Sequence, residues 1–376
     1  EEEHKMGIKG SSTCAVIFQD AMVPVENMLG EIGQGAKIAF NILNFGRFKL
    51  GATCVGGMKL MLHDSIRYAN ERRQFGKAIS EFGAIKTKLA EMAIRIWVGE
   101  SAVYRTVGLI QSAITDPADA QVRLRSAEEY AVECSMIKVS LSEFCGFVGD
   151  EMVQIYGGYG YSADYPAERA YRDMRINRIF EGTNEINRML IPGMLMKRAM
   201  TGRLGLLPAI KALQDELLSA ATFGATATEE LLAKETGLMV NAKKVALMIL
   251  GIAAQKYMQA LSDQQEILMN AADIIMDAYL MESAVLRVQK RAQKISTGQQ
   301  TENNSRVIDM TRVFCFDAIS RIEVRAKSTL AAMTEGDEMR TMLAALQRLT
   351  KHAPINTVEL RHKIAETLIK ANTYSF

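Results

Sequence analysis

The chain has 376 residues, a length that accommodates two or three ordinary domains. Its hydrophobic content of 48% and charged content of 23% are typical of a soluble globular protein, and its formal net charge of +2 gives no strong field for nucleic acid or an anionic membrane. Its 5 cysteines lack CxxC spacing, which argues against a structural zinc site, predicts no metal and favours a reducing compartment.

No targeting or membrane-spanning segment is evident. The chain opens with charged residues instead of a signal-peptide pattern, and its longest wholly apolar run, Val245 to Ala254, is far shorter than the ~20 residues of a spanning helix. We therefore expect a soluble protein, in the cytoplasm of a bacterium or on the matrix side of a mitochondrion. Peripheral membrane contact through the C-terminal part stays open.

Residues 1–32 differ in character from the rest. Two apolar runs, 15–18 and 22–25, have the composition of β-strands and are followed by a turn at Gly30. A strand pair without a sheet is marginally stable alone. We expect this segment to end a β domain whose earlier part is missing from the sequence.

Residues 33–200 are predicted to be helical. Apolar residues recur every three or four positions from Ile85 to Ile110, Asp116 and Pro117 form a candidate N-cap and first turn, and Pro192 predicts a kink. Helices this long with short connections form an antiparallel up-and-down bundle. The helical patterns run over 34–70, from Ser80 or Gly83 through Ile110, from Pro117 through Ile155, and from near Gly182 to about Met200.

Residues 201–376 read as a second helical domain that follows a linker at 200–208. They contain no cluster of His, Cys or acidic residues that would suggest chemistry. Asn356 followed by Glu359 resembles a capping box. The overall class is therefore mainly α with a short β remnant at the N-terminus. The predicted helices here cover 208–222, 228–260, 263–297, 304–332, 336–351 and 356–372.

Glu181 is the candidate catalytic residue. It leaves the largely apolar stretch before it and is followed at once by Gly182 and Thr183. A carboxylate in an apolar pocket has a raised pKa and becomes an effective base once it is desolvated. On residue pattern alone, a solvated acid beside a helix is the better explanation of Glu181.

Three further segments have the composition of ligand contacts. The pair Gly157–Gly158 in QIYGGYGY allows a ligand to approach the backbone, although a helix C-cap gives the same pattern. Arg72, Gln74 and Phe75 suit a pyrophosphate or an aromatic ring, or form an ordinary charged loop. The run Asn44–Arg47 contains a mid-helix glycine that costs about 1 kcal/mol, as expected where something packs closely.

Taken together and in order, these segments resemble the acyl-CoA dehydrogenases. The resemblance covers residues 1–200 and is carried by VIFQDAMVPVENMLGEIGQG, RYANERRQFGKAISEFGAIKTKLAEM, QIYGGYGY and IFEGTNEI. Within the family, LNFGRF and RRQFG with FGAI are most similar to the very-long-chain branch. The division that the resemblance implies is the end of a middle β domain (1–32), a four-helix flavin and acyl-CoA domain (33–200) and a C-terminal helical domain (201–376).

The resemblance implies α,β-desaturation of a long-chain acyl-CoA in fatty-acid β-oxidation. Glu181 falls on the position of the base that removes the α-proton, while N5 of FAD accepts the β-hydrogen as hydride. It also implies a homodimer whose flavin is reoxidised by an electron-transfer flavoprotein. The implied cofactor contacts are Arg72, Gln74, Phe75, Gln154, Gly157, Gly158, Thr183, Asn184 and Glu185, and the implied substrate contacts are Asn44, Phe45, Gly46, Arg47 and Gly182.

Some features depart from the family pattern. Gly83 stands where many members have a flavin-contacting Gln, and Asn44 replaces an Asp of the shorter-chain members. The N-terminal helical domain and most of the β domain are not in the sequence, so we expect this chain alone to be inactive. Two alternatives stay open: a non-catalytic helical assembly protein on the same scaffold, and an acyl-CoA oxidase. Residues 201–376 dock on the bundle, complete the dimer or rest on a membrane, and we favour dimerisation.

Overall fold

The computed structural model describes residues 1–218, 230–294 and 302–376. Within these ranges the chain is mainly helical, as predicted, and its strands form one two-residue hairpin. The ends of three predicted helices (208–222, 228–260 and 263–297) lie outside the described residues. The elements of the first half are α1 (Gly35–Glu71), β1 (Arg73–Gln74), β2 (Lys77–Ala78), α2 (Gly83–Ser112), α3 (Ala120–Glu129), α4 (Ala131–Tyr156), α5 (Gly158–Tyr161), α6 (Pro166–Met174) and α7 (Asn184–Met200).

The prediction of strands at 15–18 and 22–25 is wrong for this structure. Residues 12–18 have no regular secondary structure, and Val25–Asn27 forms a short 3-10 helix. Val16, Ile17 and Phe18 are 73%, 85% and 81% exposed. Their side chains suit a strand, but no neighbouring strand among the described residues offers backbone hydrogen bonds.

The predicted helix over 117–155 is two helices, α3 and α4, separated at Tyr130. The N-cap of α3 is Asp119, whose carboxylate accepts from Gln121 N over 2.7 Å, whereas Asp116 binds Ala118 N. Two aspartates compete for one helix start here, and the one after Pro117 caps the helix.

The main helices of the bundle are α1, α2, α4 and α7, and α1 packs along α4. Glycines let these helices approach closely. A Cβ on Gly99 of α2 would lie 3.5 Å from Leu141 Cγ of α4, and Gly51 of α1 faces Ile137 of α4. The tight packing fixes α1 and α4 relative to each other, and both carry predicted site residues.

The described residues of 201–376 pack against the bundle and share its apolar core. One hydrophobic cluster runs from Leu50 to Leu368, and Trp97 Nε1 of the bundle donates to Thr311 Oγ1 over 3.0 Å. The cap at Asn356 is confirmed, since its side chain accepts from Glu359 N. The boundary at residue 200 stays a prediction. The elements are α8 (Leu206–Leu218), α9 (Ala233–Tyr257), α10 (Gln265–Lys294), α11 (Glu302–Met333), α12 (Gly336–Thr350) and α13 (Thr357–Ala371).

One helix in the described part of the chain, Ala233–Asp263, has the length and mean hydropathy (1.5) of a membrane span. Half of its most apolar window is buried inside the protein, and α9 packs against α10 and α11. A core helix of a helical protein gives the same values, so this segment is weak evidence for a membrane role.

Candidate active site

A sharp backbone corner, residues 181–183, precedes α7. Glu181 has a φ of +60° and Gly182 a φ of +81°, so both lie in the left-handed region. Thr183 ends the corner as the N-cap of α7, because its hydroxyl accepts from Ile186 N over 3.3 Å. A positive φ is strained for a non-glycine residue and is found where the surroundings hold it in place. We call residues 181–183 the catalytic corner.

The Glu181 carboxylate lies against the backbone of α1 at Gly46. A Cβ on Gly46 would lie 2.6 Å from Glu181 Cδ and 2.7 Å from Oε1, so no larger residue fits there without a shift. Glu181 Oε2 is buried and has no hydrogen-bond partner in the described structure. An unpaired buried carboxylate oxygen is costly and is typical of a group that acts on a ligand.

Arg47 holds the corner from the side of α1. Its Nε donates to Glu181 O over 3.2 Å, and its Nη1 donates to Asn44 Oδ1 over 3.2 Å. Arg47 is only 6% exposed, and this burial lowers its pKa, although the Glu181 carboxylate opposes the shift. Of the predicted substrate contacts on α1, Gly46 and Arg47 thus contact the corner, and Asn44 is linked to it through Arg47. The side chain of Phe45 is half-buried.

Asn187, which the sequence did not single out, holds the corner from α7. It is fully buried, and its Nδ2 donates to three successive carbonyls, those of Glu181 (3.4 Å), Gly182 (2.8 Å) and Thr183 (3.0 Å). A Cβ on Gly182 would lie 3.1 Å from this nitrogen. Glycine at 182 therefore serves both the positive φ and the close approach of Asn187.

The predicted cofactor contacts after the corner face different ways. The side chain of Asn184 turns into the bundle, where its Oδ1 accepts from Lys138 Nζ over 2.7 Å and its Nδ2 donates to Ser142 Oγ over 3.0 Å. Glu185 is exposed, and hydrogen bonds from its own backbone N–H and from Thr183 lower its pKa. Asn184 therefore offers a ligand its backbone only. Lys138 is a second residue that sequence reasoning missed, although a lysine inside the apolar run MIKVSL is a visible signal.

A second cluster lies at the other end of α1. Beyond Arg72 the chain makes an antiparallel hairpin, β1–β2, whose turn residues Phe75 and Gly76 have φ values of +50° and +84°. This two-residue turn with positive φ at both positions is the type that short hairpins favour. Phe75 at its tip is 92% exposed, a large apolar surface for a monomer to leave in water.

The hairpin and the end of α4 form a pocket of about 410 Å³. Gly157, at a φ of +61°, and Gly158 line it opposite Arg72 and Gln74. Arg72 takes part in no ion pair within the described ranges, and its guanidinium lies 5.3 Å from the centre of the Tyr159 ring. The pocket thus offers a ligand an available cation, an aromatic ring and backbone without side chains at the two glycines. The predicted cofactor contact Gln154 is exposed on the last turn of α4.

The two clusters are far apart in one chain. Arg47 and Arg72 are separated by about 38 Å along α1, at about 1.5 Å per residue. That distance exceeds the span of a dinucleotide, so one bound molecule does not contact both clusters of the same chain. The two clusters of one chain are therefore separate.

Gly46→Ala is expected to disrupt the catalytic corner. The new Cβ meets the Glu181 carboxylate, and we expect destabilisation by about 1–3 kcal/mol, as for overpacked cores. Gly56→Ala is the matched control on the same helix, because a Cβ there meets nothing within 4 Å. It is expected to raise the free energy of unfolding by up to about 1 kcal/mol. Urea unfolding of both variants tests this, and equal effects would contradict the packing described.

Comparison with known proteins identifies the class to which this fold and corner belong. The family description "Acyl-CoA dehydrogenase, C-terminal domain" matches residues 33–194, and a second family of the same description matches residues 241–348. The chain therefore belongs to the acyl-CoA dehydrogenase family.

Individual relatives support this membership. The chain is 45% identical to "Probable acyl-CoA dehydrogenase" of Bacillus subtilis, over all of this chain and 63% of that protein. It is 31% identical to the mitochondrial very long-chain specific acyl-CoA dehydrogenase of Rattus norvegicus, over 93% of this chain and 52% of that one. The crystal structure of an acyl-CoA dehydrogenase complexed with FAD from Bacillus anthracis superposes with a TM-score of 0.95 at 47% identity, over 100% of this chain and 64% of that chain. The chain thus spans less than two thirds of the length of these relatives.

Proposed function

We propose that the protein to which this chain contributes is an FAD-dependent acyl-CoA dehydrogenase in which Glu181 removes the α-proton of the substrate. The observation that carries this proposal is the Glu181 carboxylate, which has a buried oxygen without a partner and lies against a helix that has no side chain at Gly46. A base needs this arrangement, since a carboxylate already paired with a cation is a poor proton acceptor.

The surrounding residues keep the base in place. Arg47 and Asn187 bind the corner through its carbonyls, so the Glu181 side chain stays available for a substrate proton. Because the backbone is fixed, the carboxylate stays close to the geometry in which it reacts, and proton transfer is faster. Exclusion of water by the bound acyl chain would raise the basicity of the carboxylate.

FAD fits the second cluster. The Arg72 guanidinium suits a diphosphate, Tyr159 suits a ring, and Gly157 and Gly158 let the cofactor approach the backbone. FAD bound here would supply the hydride acceptor for the β-hydrogen. Because Arg47 and Arg72 of one chain lie about 38 Å apart along α1, we propose a homodimer in which Arg72 of one chain completes the site that Glu181 of the other begins.

A long acyl chain is the proposed substrate. Exposed apolar side chains precede both parts of the site in the sequence: Phe40 (66%) and Ile42 (58%) come before Gly46 on α1, and Ile179 (48%) and Phe180 (43%) come before the corner. An apolar surface of this kind suits an alkyl chain more than a small polar acyl group. The similarity to a very long-chain enzyme points the same way. We place the protein in the cytoplasm, as a bacterial enzyme that passes electrons to an electron-transfer flavoprotein.

The test uses the protein translated from the complete reading frame. We expect FAD to copurify with it, and acyl-CoA substrates from C4 to C20 to give 2-enoyl-CoA products, with the highest kcat/KM at C14 or longer. Reoxidation by an electron-transfer flavoprotein, and not by oxygen, distinguishes a dehydrogenase from an oxidase. Absence of enoyl-CoA with every chain length would overturn the proposal and favour a non-catalytic role.

A further inference from the structure

Lys138 of α4 lies beneath the start of α7. Its side chain is fully buried, the single lysine in the described structure that is so enclosed. Its Nζ donates to Asn184 Oδ1 over 2.7 Å, and Ser142 Oγ lies 3.0 Å from Asn184 Nδ2. Asn184 is the first residue of α7 and follows the catalytic corner directly. The lysine thus binds the first residue of α7, the helix that follows the corner.

Other charged groups surround this amine. Arg47 and Cys54 of α1, Glu143 of α4 and Glu185 of α7 face it; the two carboxylates favour its charged form and Arg47 opposes it. Burial lowers the pKa of Lys138 to about 8, so the ammonium form still predominates at neutral pH. A buried cation is costly unless its hydrogen bonds and nearby charges compensate. That cost makes a lysine an unexpected choice for a position that only fills the core.

The catalytic corner needs support on every side. Glu181 occupies a left-handed backbone conformation, which is strained for a residue with a Cβ. Arg47 binds its carbonyl from α1, and Asn187 binds the same carbonyl from α7. The side chain of Asn184 contacts α4 as well, and Lys138 supplies the charged hydrogen bond there.

We propose that Lys138 is a positioning residue for the base: its ammonium holds Asn184 and thereby fixes the backbone that carries Glu181. The lysine does not touch the substrate and takes no proton from it. The kinetic part of this inference rests on the proposed function, whereas the structural part does not depend on it.

Hydrogen exchange tests the structural part in the protein from the complete reading frame. Lys138→Met removes the bond and keeps an apolar stem, and we expect amide exchange to rise about tenfold or more in residues 181–187 alone. Lys88→Met is the matched control, because Lys88 pairs with Glu151 away from the corner. If Lys138→Met does not fold, Asn184→Leu breaks the same bond from its other end and must give the same local change. Unchanged exchange in 181–187, or an equal rise throughout the protein, overturns the proposal.

Kinetics test the positioning role. We expect Lys138→Met to lower kcat by about 10- to 100-fold with little change in KM, as a misplaced catalytic group does. The double variant should be no slower than Asn184→Leu alone, since that change already removes the bond to Lys138, together with the bonds of Asn184 to Ser142 and Glu143. We expect the wild-type rate to fall as pH rises through about 8, where the Lys138 ammonium loses its charge, and Lys138→Arg to keep most of kcat without that fall. Additive effects, or a pH profile that Lys138→Arg leaves unchanged, contradict the role. If the wild type oxidises no acyl-CoA, the proposed function fails, and hydrogen exchange alone decides about Lys138.

Discussion

Glu181→Gln is expected to abolish turnover while the fold persists. The amide has nearly the same shape as the carboxylate, so the contact with Gly46 and the bonds from Arg47 and Asn187 to the backbone of residue 181 are retained. The amide does not accept a proton at neutral pH. Removal of a general base costs about 10²- to 10⁴-fold, and we expect flavin reduction by palmitoyl-CoA to slow by at least that lower factor.

The measurement is anaerobic stopped-flow bleaching of the flavin with saturating substrate. FAD content and acyl-CoA binding are expected to be unchanged, because Glu181 is assigned no part in either. Glu128→Gln, on the exposed surface of α3, is the matched control and should bleach at the wild-type rate. A Glu181→Gln variant that bleaches within a few-fold of wild type would show that another group takes the proton.

Mixed dimers of Arg72 and Glu181 variants are expected to regain activity that neither variant has alone. Arg72→Ala weakens the diphosphate end of the cofactor site, and Glu181→Gln removes the base. If each flavin site takes Arg72 from one chain and Glu181 from the other, the mixed dimer contains one intact site and one doubly altered site. It should then show about half the wild-type rate and one tightly bound FAD per dimer.

The experiment uses two affinity tags to isolate the mixed species after coexpression. A site built within a single chain leaves no intact site in the mixed dimer, so an inactive mixed dimer contradicts the shared-site proposal. Arg73→Ala is the control for the arginine change: its neighbour Arg73 donates to Gly76 O within the hairpin and is exposed, and its loss should leave FAD affinity unchanged.

The helices of the bundle could be predicted from the sequence because their signals are local. The stripe from Ile85 to Ile110 predicted α2, and Asn356 predicted the start of α13, where it does cap the helix. Strand formation depends on a partner, which local composition does not report, so the runs at 15–18 and 22–25 were mistaken for strands. The break at Tyr130 was not predicted either, since no glycine or proline marks it.

The sequence allowed us to predict candidate site residues, but not how they are arranged in space. The family resemblance pointed to Glu181 and Arg72, and only the structure showed how far apart in one chain they lie. Asn187 and Lys138 act through contacts 4 to 46 residues away along the chain, and such pairs carry no periodic signal. The side chain of Asn184 faces Lys138 inside the bundle, which its position in the sequence did not indicate, and its role as a cofactor contact stays a prediction.

The central claim is that the Glu181 carboxylate removes the α-proton, and isotope exchange tests it most directly. The complete protein is incubated in D₂O with a 3-thia acyl-CoA, a substrate analogue whose α-proton is acidic but whose β-position has no hydrogen to lose as hydride. We predict deuterium at the α-carbon with wild-type protein and none above the uncatalysed rate with Glu181→Gln. Equal incorporation by the two proteins would contradict the assignment of Glu181 as the base.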